Sequence, residues 1–190
     1  MNPQTSENFL LQHLLTSGAL RDPDATAVVC RGARLTYGQL ERLSDRMARL
    51  LWEEGVRPGD RVGIFFPKSA ETLAAIFGIL KAGAVYVPID PKGPAQRAAY
   101  IIRDCGIQVL LTAAKQKSLL TQILQEDSTL RLLLFMDSAP SVAFPARSPR
   151  VLAWPEAQSS VKEGRPDLPT IHTDLAYILY TSGSTGRPKG

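Results

Sequence analysis

Along the chain, short runs of consecutive apolar residues alternate with longer segments whose apolar positions recur every three to four residues. The first pattern predicts strands buried on both faces, and the second predicts helices packed by one side. A short apolar helix is expected over residues 8–17, ending near Gly18, and a β-prone run over 25–30. Arg31, Gly32 and Ala33 read as a hairpin-like turn into Leu35 and Thr36. Thr36 is placed to cap the next helix, with Gln39 three residues later in capping-box position. In that helix, over 37–54, Leu40, Leu43, Met47, Leu50 and Leu51 share one face, and Arg42, Asp45, Arg46 and Arg49 lie opposite.

From there the order strand, turn, helix repeats. Strands are predicted over 61–66, 84–87, 107–112 and 130–136, and helices over 69–81, 95–105 and 116–125. Gly55, Gly83 and Gly106 close helices, and Pro94 opens one at its first position. Lys81, at a helix end before Gly83, reads as a solvated residue favoured by the helix dipole. Residues 138–150 and 159–170 are rich in proline and polar residues and read as surface connections flanking a short strand at 151–153. A last strand, over 176–180, is expected to be buried on both faces. This alternation predicts an α/β fold: an open, mainly parallel sheet with helices on both faces.

Composition narrows the class. With 190 residues, 44% of them hydrophobic, the chain has room for a sizeable core in one domain or one large subdomain. The net charge of +4 is scattered, and no basic stripe interleaved with aromatics argues for a nucleic-acid partner. Cys30 and Cys105 lack metal-ligand spacing and read as reduced core thiols, so no metal site is expected. His13 and His172 read as structural or solvated side chains. The amino terminus lacks the pattern of a signal peptide, and every apolar run is too short for a membrane span, so a cytoplasmic protein is expected.

The candidate chemistry lies at residues 175–190, LAYILYTSGSTGRPKG. Gly183 and Gly186 let the backbone bend and approach a ligand without Cβ obstruction. Thr181, Ser182, Ser184 and Thr185 supply hydroxyls, successive amides form an anion-binding nest, and Lys189 adds a point charge suited to polyphosphate. The spacing is not that of the Walker loop, in which lysine follows the second glycine directly. Here Arg187 and Pro188 intervene. Taken alone, such a run also fits a flexible surface linker. The apolar strand before it and the lysine at a fixed offset after proline favour a phosphate cradle.

With these residues in place, the chain resembles the amino-terminal part of the adenylate-forming (AMP-binding) enzyme superfamily. That superfamily includes acyl-CoA synthetases, luciferases and the amino-acid adenylation domains of nonribosomal peptide synthetases. Three motifs carry the resemblance in order: LTYGQL at 35–40, LKAGAVYVPID at 80–90 and the loop at 175–190. Pro94, Arg97, Asp104, Leu111 and Thr112 also fall where the family tends to have them. YVPIDP at 86–91 is closer to the peptide-synthetase version, although Ala84–Val85 departs from its commoner Gly-Ala pair.

The resemblance implies ATP-dependent activation of a carboxylate, an amino acid favoured, as an acyl-adenylate. Transfer to a carrier-bound phosphopantetheine thiol or to coenzyme A would follow. It implies that Thr181, Ser182, Gly183, Ser184, Thr185, Gly186 and Lys189 hold the ATP phosphates, with Mg²⁺ sharing the work. No catalytic role is assigned to Tyr37, Lys81, Tyr86 or Asp90. On this reading residues 1–190 are the amino-terminal portion of the domain, cut after its phosphate loop and inactive alone, with the carboxylate pocket and lid domain beyond. A fragment of an acyl-CoA synthetase and a short non-catalytic nucleotide- or partner-binding protein remain alternatives.

Overall fold

The computed structural model describes residues 10–126, 129–139, 149–182 and 188–190. Helix α1 (Leu11–Arg21) leads into a hairpin of β1 (Thr26–Cys30) and β2 (Ala33–Thr36). Then follow α2 (Tyr37–Glu53), β3 (Arg61–Phe65), α3 (Ala70–Lys81), β4 (Val85–Pro88), α4 (Ala95–Asp104) and β5 (Val109–Thr112). A 3-10 turn (Ala114–Gln116) precedes α5 (Lys117–Gln125), β6 (Leu132–Phe135), β7 (Arg150–Ala153) and α6 (Trp154–Ser160). Two short strands close the chain, β8 (Thr181–Ser182) and β9 (Pro188–Lys189).

The main sheet has five parallel strands in the order β4-β3-β5-β6-β7. Its strands are near-continuous apolar runs because both faces are covered. In β5 and β6, Val109, Leu111, Leu132 and Leu134 pack toward α2, α3 and α6, where Met47, Leu51, Ile79 and Trp154 are buried. Leu110, Leu133 and Phe135 pack toward α4 and α5, against Ile102, Leu120 and Ile123. A third cluster joins α1 and the β1–β2 hairpin to α2 and α3 through Leu15, Val28, Leu40 and Ala74.

Local signals account for the helix starts. Thr36 Oγ1 accepts from the Gln39 amide at 3.2 Å while Gln39 Oε1 accepts from the Thr36 amide at 2.9 Å, the reciprocal capping box expected. Pro94 stands at the cap position of α4 rather than inside its first turn.

Four expectations are corrected. Helix α1 runs past Gly18 to Arg21. A Cβ on Gly18 would lie 2.5 Å from the Tyr37 ring, so that glycine serves close packing of α1 on α2 rather than ending a helix. Residues 154–160 form a helix that the sequence pattern had not shown, with Pro155 in its first turn and Trp154 buried beneath it. Lys81 is buried, as described below. The segment 176–180 is not a strand buried on both faces. It joins β4 through one parallel bridge, Tyr86 to Tyr177, and it alternates, with Ala176, Ile178 and Tyr180 half-buried and Leu175, Tyr177 and Leu179 exposed. It is thus an edge with one face packed and one face open.

Candidate phosphate-loop site

Helix α3 leaves β3 on one face of the sheet, and α4 leaves the adjacent β4 on the other. A parallel sheet forms its ligand crevice where successive connections part in this way, at the carboxyl ends of the strands. A cavity of about 690 Å³ opens there, lined by Ile64, Phe66, Tyr86, Pro88 and Leu179, with Lys68 at its edge. The Tyr86 ring lies 5.4 Å from that of Tyr177, and burial, followed by this neighbour, raises the Tyr86 phenol above its ordinary range.

Leu179 belongs to the segment that carries the predicted loop. Immediately after it, β8 and β9 pair antiparallel, with Thr181 opposite Lys189 and Ser182 opposite Pro188. This ladder closes the base of the Gly/Ser/Thr run and brings together two predicted phosphate-binding residues eight positions apart in sequence. Thr181 and Lys189 are both exposed. Gly183, Ser184, Thr185 and Gly186 lie outside the described residues, and of Ser182 only the backbone pairing is described.

The base of the loop stands on Tyr180. A Cβ on Gly190 would come 2.7 Å from the Tyr180 ring and 3.0 Å from Ile178 Cγ2, so the residue after Lys189 must be small for the two ends of the loop to meet. The Tyr180 hydroxyl donates to the Asp104 carboxylate. It also lies 3.3 Å from Cys105 Sγ, and with its proton given to Asp104 it accepts from the thiol. Burial foremost, then the bonds to Asp104 and Cys105, push the Tyr180 phenol well above the usual tyrosine range. Neither Tyr180 nor Asp104 is among the residues predicted to hold phosphate. One signal was available: a carboxylate in the last turn of a helix opposes the macrodipole, so Asp104 at the end of α4 calls for a specific donor.

Lys81 differs most from expectation. Its side chain is wholly buried, and Nζ lies 2.8 Å from Glu41 Oε2, 2.7 Å from Asp45 Oδ1 and 2.8 Å from Ser44 Oγ, all on α2. It pins α3 to α2 and does not reach the loop. Cys105 is buried, Cys30 is half-buried against the cluster that joins α1 and the hairpin to α2 and α3, and both are free. Among the described residues, no group of three or more His, Cys, Asp or Glu side chains is placed to hold a metal ion. Also among them, no helix is long and apolar enough to cross a membrane.

The comparisons with known proteins converge on one class. The AMP-binding enzyme family matches residues 15–190, and the chain belongs to that family. The chain is 39% identical over 183 residues to a component of the linear gramicidin synthase of Brevibacillus parabrevis, covering 96% of this chain and 3% of that protein. It is 39% identical over 170 residues to surfactin synthase subunit 2 of Bacillus subtilis (strain 168), covering 90% of this chain and 4% of that one. Among solved structures, apo MbtA of Mycobacterium smegmatis superposes with a TM-score of 0.82 at 30% identity, covering 95% of this chain and 32% of its own. The anthranilate CoA ligase AuaEII in complex with anthranoyl-AMP shares the fold, with a TM-score of 0.84 at 24% identity over 93% of this chain and 33% of its own. The chain therefore spans only 3–4% of the length of these two synthases.

Proposed function

We propose that this chain forms the amino-terminal, phosphate-binding part of an adenylate-forming domain that activates a carboxylate with MgATP. The observation that carries the reading is the β8–β9 ladder, which pairs the residues on either side of 183–187 and sets Lys189 across from Thr181. In the reaction proposed, a carboxylate oxygen attacks the α-phosphorus and the bond to the β-phosphoryl oxygen breaks. Pyrophosphate leaves with the electron pair. Charge grows on the leaving group, so fixed donors and a cation there lower the barrier more than they stabilise bound ATP. Lys189 supplies the cation, and Thr181, Ser182, Ser184 and Thr185 with the loop amides supply the donors. A Mg²⁺ ion carried in with the nucleotide would share that neutralisation.

Peptide synthetases at 39% identity, together with the YVPIDP segment, support an amino acid as the carboxylate and a carrier-bound phosphopantetheine as the thiol acceptor. Coenzyme A is the alternative acceptor. Amino-acid-dependent exchange of pyrophosphate into ATP, measured on the whole gene product, tests the reading. Lys189→Ala should lower the exchange rate at limiting ATP by about 100–1,000-fold, a loss comparable to that of one preorganised donor. An unchanged rate removes Lys189 from the role. A polypeptide of residues 1–190 alone should give no exchange above the enzyme-free blank.

A further inference from the structure

The phosphate loop has a foundation that none of its seven predicted phosphate-binding residues supplies. Its two ends meet at one aromatic ring, with Thr181 following Tyr180 directly and Gly190 close against that ring. The far end of the ring is tied to another element, where the hydroxyl donates to Asp104 in the last turn of α4 and meets Cys105 at 3.3 Å. Ile178, two residues earlier, is tied to the sheet by its amide, which donates to the Tyr86 carbonyl at 3.2 Å. Between Ile178 and the ladder, the Tyr180 hydroxyl is the side-chain tether in the described residues. If it swings free, the ladder and Lys189 swing with it.

We propose that Tyr180 is a positioning residue for the phosphate loop, held by Asp104 at the end of α4, and that it sets where the Lys189 ammonium and the Thr181 hydroxyl meet a nucleotide's β- and γ-phosphates. Tyr180 touches no substrate in this role and acts through the loop base. A tether of this kind matters for a short polar loop because it lowers the ordering cost of binding a ligand there. The carboxylate acceptor makes the hydroxyl's hydrogen bond a strong one, while the exposure of Asp104 tempers it. Cys105 adds a weaker donor on the other side of the same oxygen.

The inference rests on the reading of the loop as a phosphate cradle, and calorimetric titration of the whole gene product with MgATP and with AMP separates the two. Tyr180→Phe, which keeps the ring under Gly190, should weaken MgATP by about three- to tenfold, the range of one hydrogen bond to a charged group at a partly exposed site. AMP, which lacks the β- and γ-phosphates, should bind as to the parent protein. Asp104→Leu should match Tyr180→Phe, the double variant should be no weaker than either alone, and Asp104→Asn, which retains an acceptor, should restore most of the affinity. MgATP affinity unchanged in Tyr180→Phe overturns the proposal. So does an equal loss for AMP, which marks a merely structural residue, or additive losses in the double variant. Lys189→Ala stands apart as the control: if it leaves both MgATP binding and pyrophosphate exchange unchanged, the cradle reading itself fails and the tether falls with it. If it weakens binding while Tyr180→Phe does not, the tether alone is wrong.

Discussion

A lysine in the last turn of a helix gains from the macrodipole wherever its side chain points, so the sequence position of Lys81 carries no information about its burial. Burial follows from a second helix. Glu41, Ser44 and Asp45, on neighbouring turns of α2, present two carboxylates and a hydroxyl to one ammonium. Lys81→Met keeps the side chain's bulk but leaves the carboxylates facing each other without a cation. Removing one partner of a buried pair costs roughly 3–5 kcal/mol, and the partial exposure of both acids puts this case at the low end. Chemical denaturation should show the loss, and adding Glu41→Gln with Asp45→Asn should recover much of it. A transition midpoint unmoved by Lys81→Met would show that the cluster contributes no net stability. The capping box at Thr36 was legible in sequence because both its partners lie within four residues. The Lys81 cluster was not, because its partners lie 36 to 40 residues away.

Elements read from local pattern hold where the pattern also fixes what covers them. Helices α2 and α4 carry one apolar face and a recognisable cap or stop, and their bounds differ by a residue or less from the sequence reading. The run at 176–180 is apolar throughout, and such a run does not say whether one face or two will be covered. Only the loop's motif was legible there, not the tether beneath it. How closely elements approach is likewise decided between elements. Helices α2 and α3 meet at Gly78, where a Cβ would lie 2.4 Å from Met47 Cγ and 3.1 Å from the Ser44 carbonyl oxygen. Met47 is wholly buried and has no room to yield. Gly78→Ala should therefore destabilise the fold by up to about 2 kcal/mol, because an overpacking cost of roughly 1–3 kcal/mol outweighs the gain of roughly 1 kcal/mol in helix propensity. A thermal midpoint raised by this substitution would mean that the α2–α3 contact relaxes without cost. The same change at Gly59, where nothing lies within 4 Å, strains only a left-handed backbone (φ +83°) and separates the two effects.

At the scale of the molecule, one exposed apolar surface runs along the segment beside β4. The outward face of the segment beside β4 exposes Leu175, Tyr177 and Leu179 by 58, 44 and 53% of their surfaces. Leu179 also lines the cavity at the carboxyl ends of β3 and β4 with Phe66, Tyr86 and Pro88, so the exposed face and the cavity are continuous. A contiguous apolar surface of this kind marks a surface built to be covered. The edge itself is open, because β4 meets its outer neighbour through a single bridge and leaves backbone groups along that side for further pairing. A polypeptide of these 190 residues should therefore self-associate at micromolar concentration. Sedimentation velocity should show species beyond the monomer, and Leu175→Ser with Leu179→Ser should shift the distribution toward it. Both side chains already face outward, so the pair of changes should leave the far-ultraviolet circular dichroism spectrum unaltered. A monodisperse monomer that unfolds cooperatively would mean that the open face needs no cover. Association that persists undiminished in the double variant would place the contact elsewhere, on α1, for instance, where Leu14 and Leu20 are also exposed.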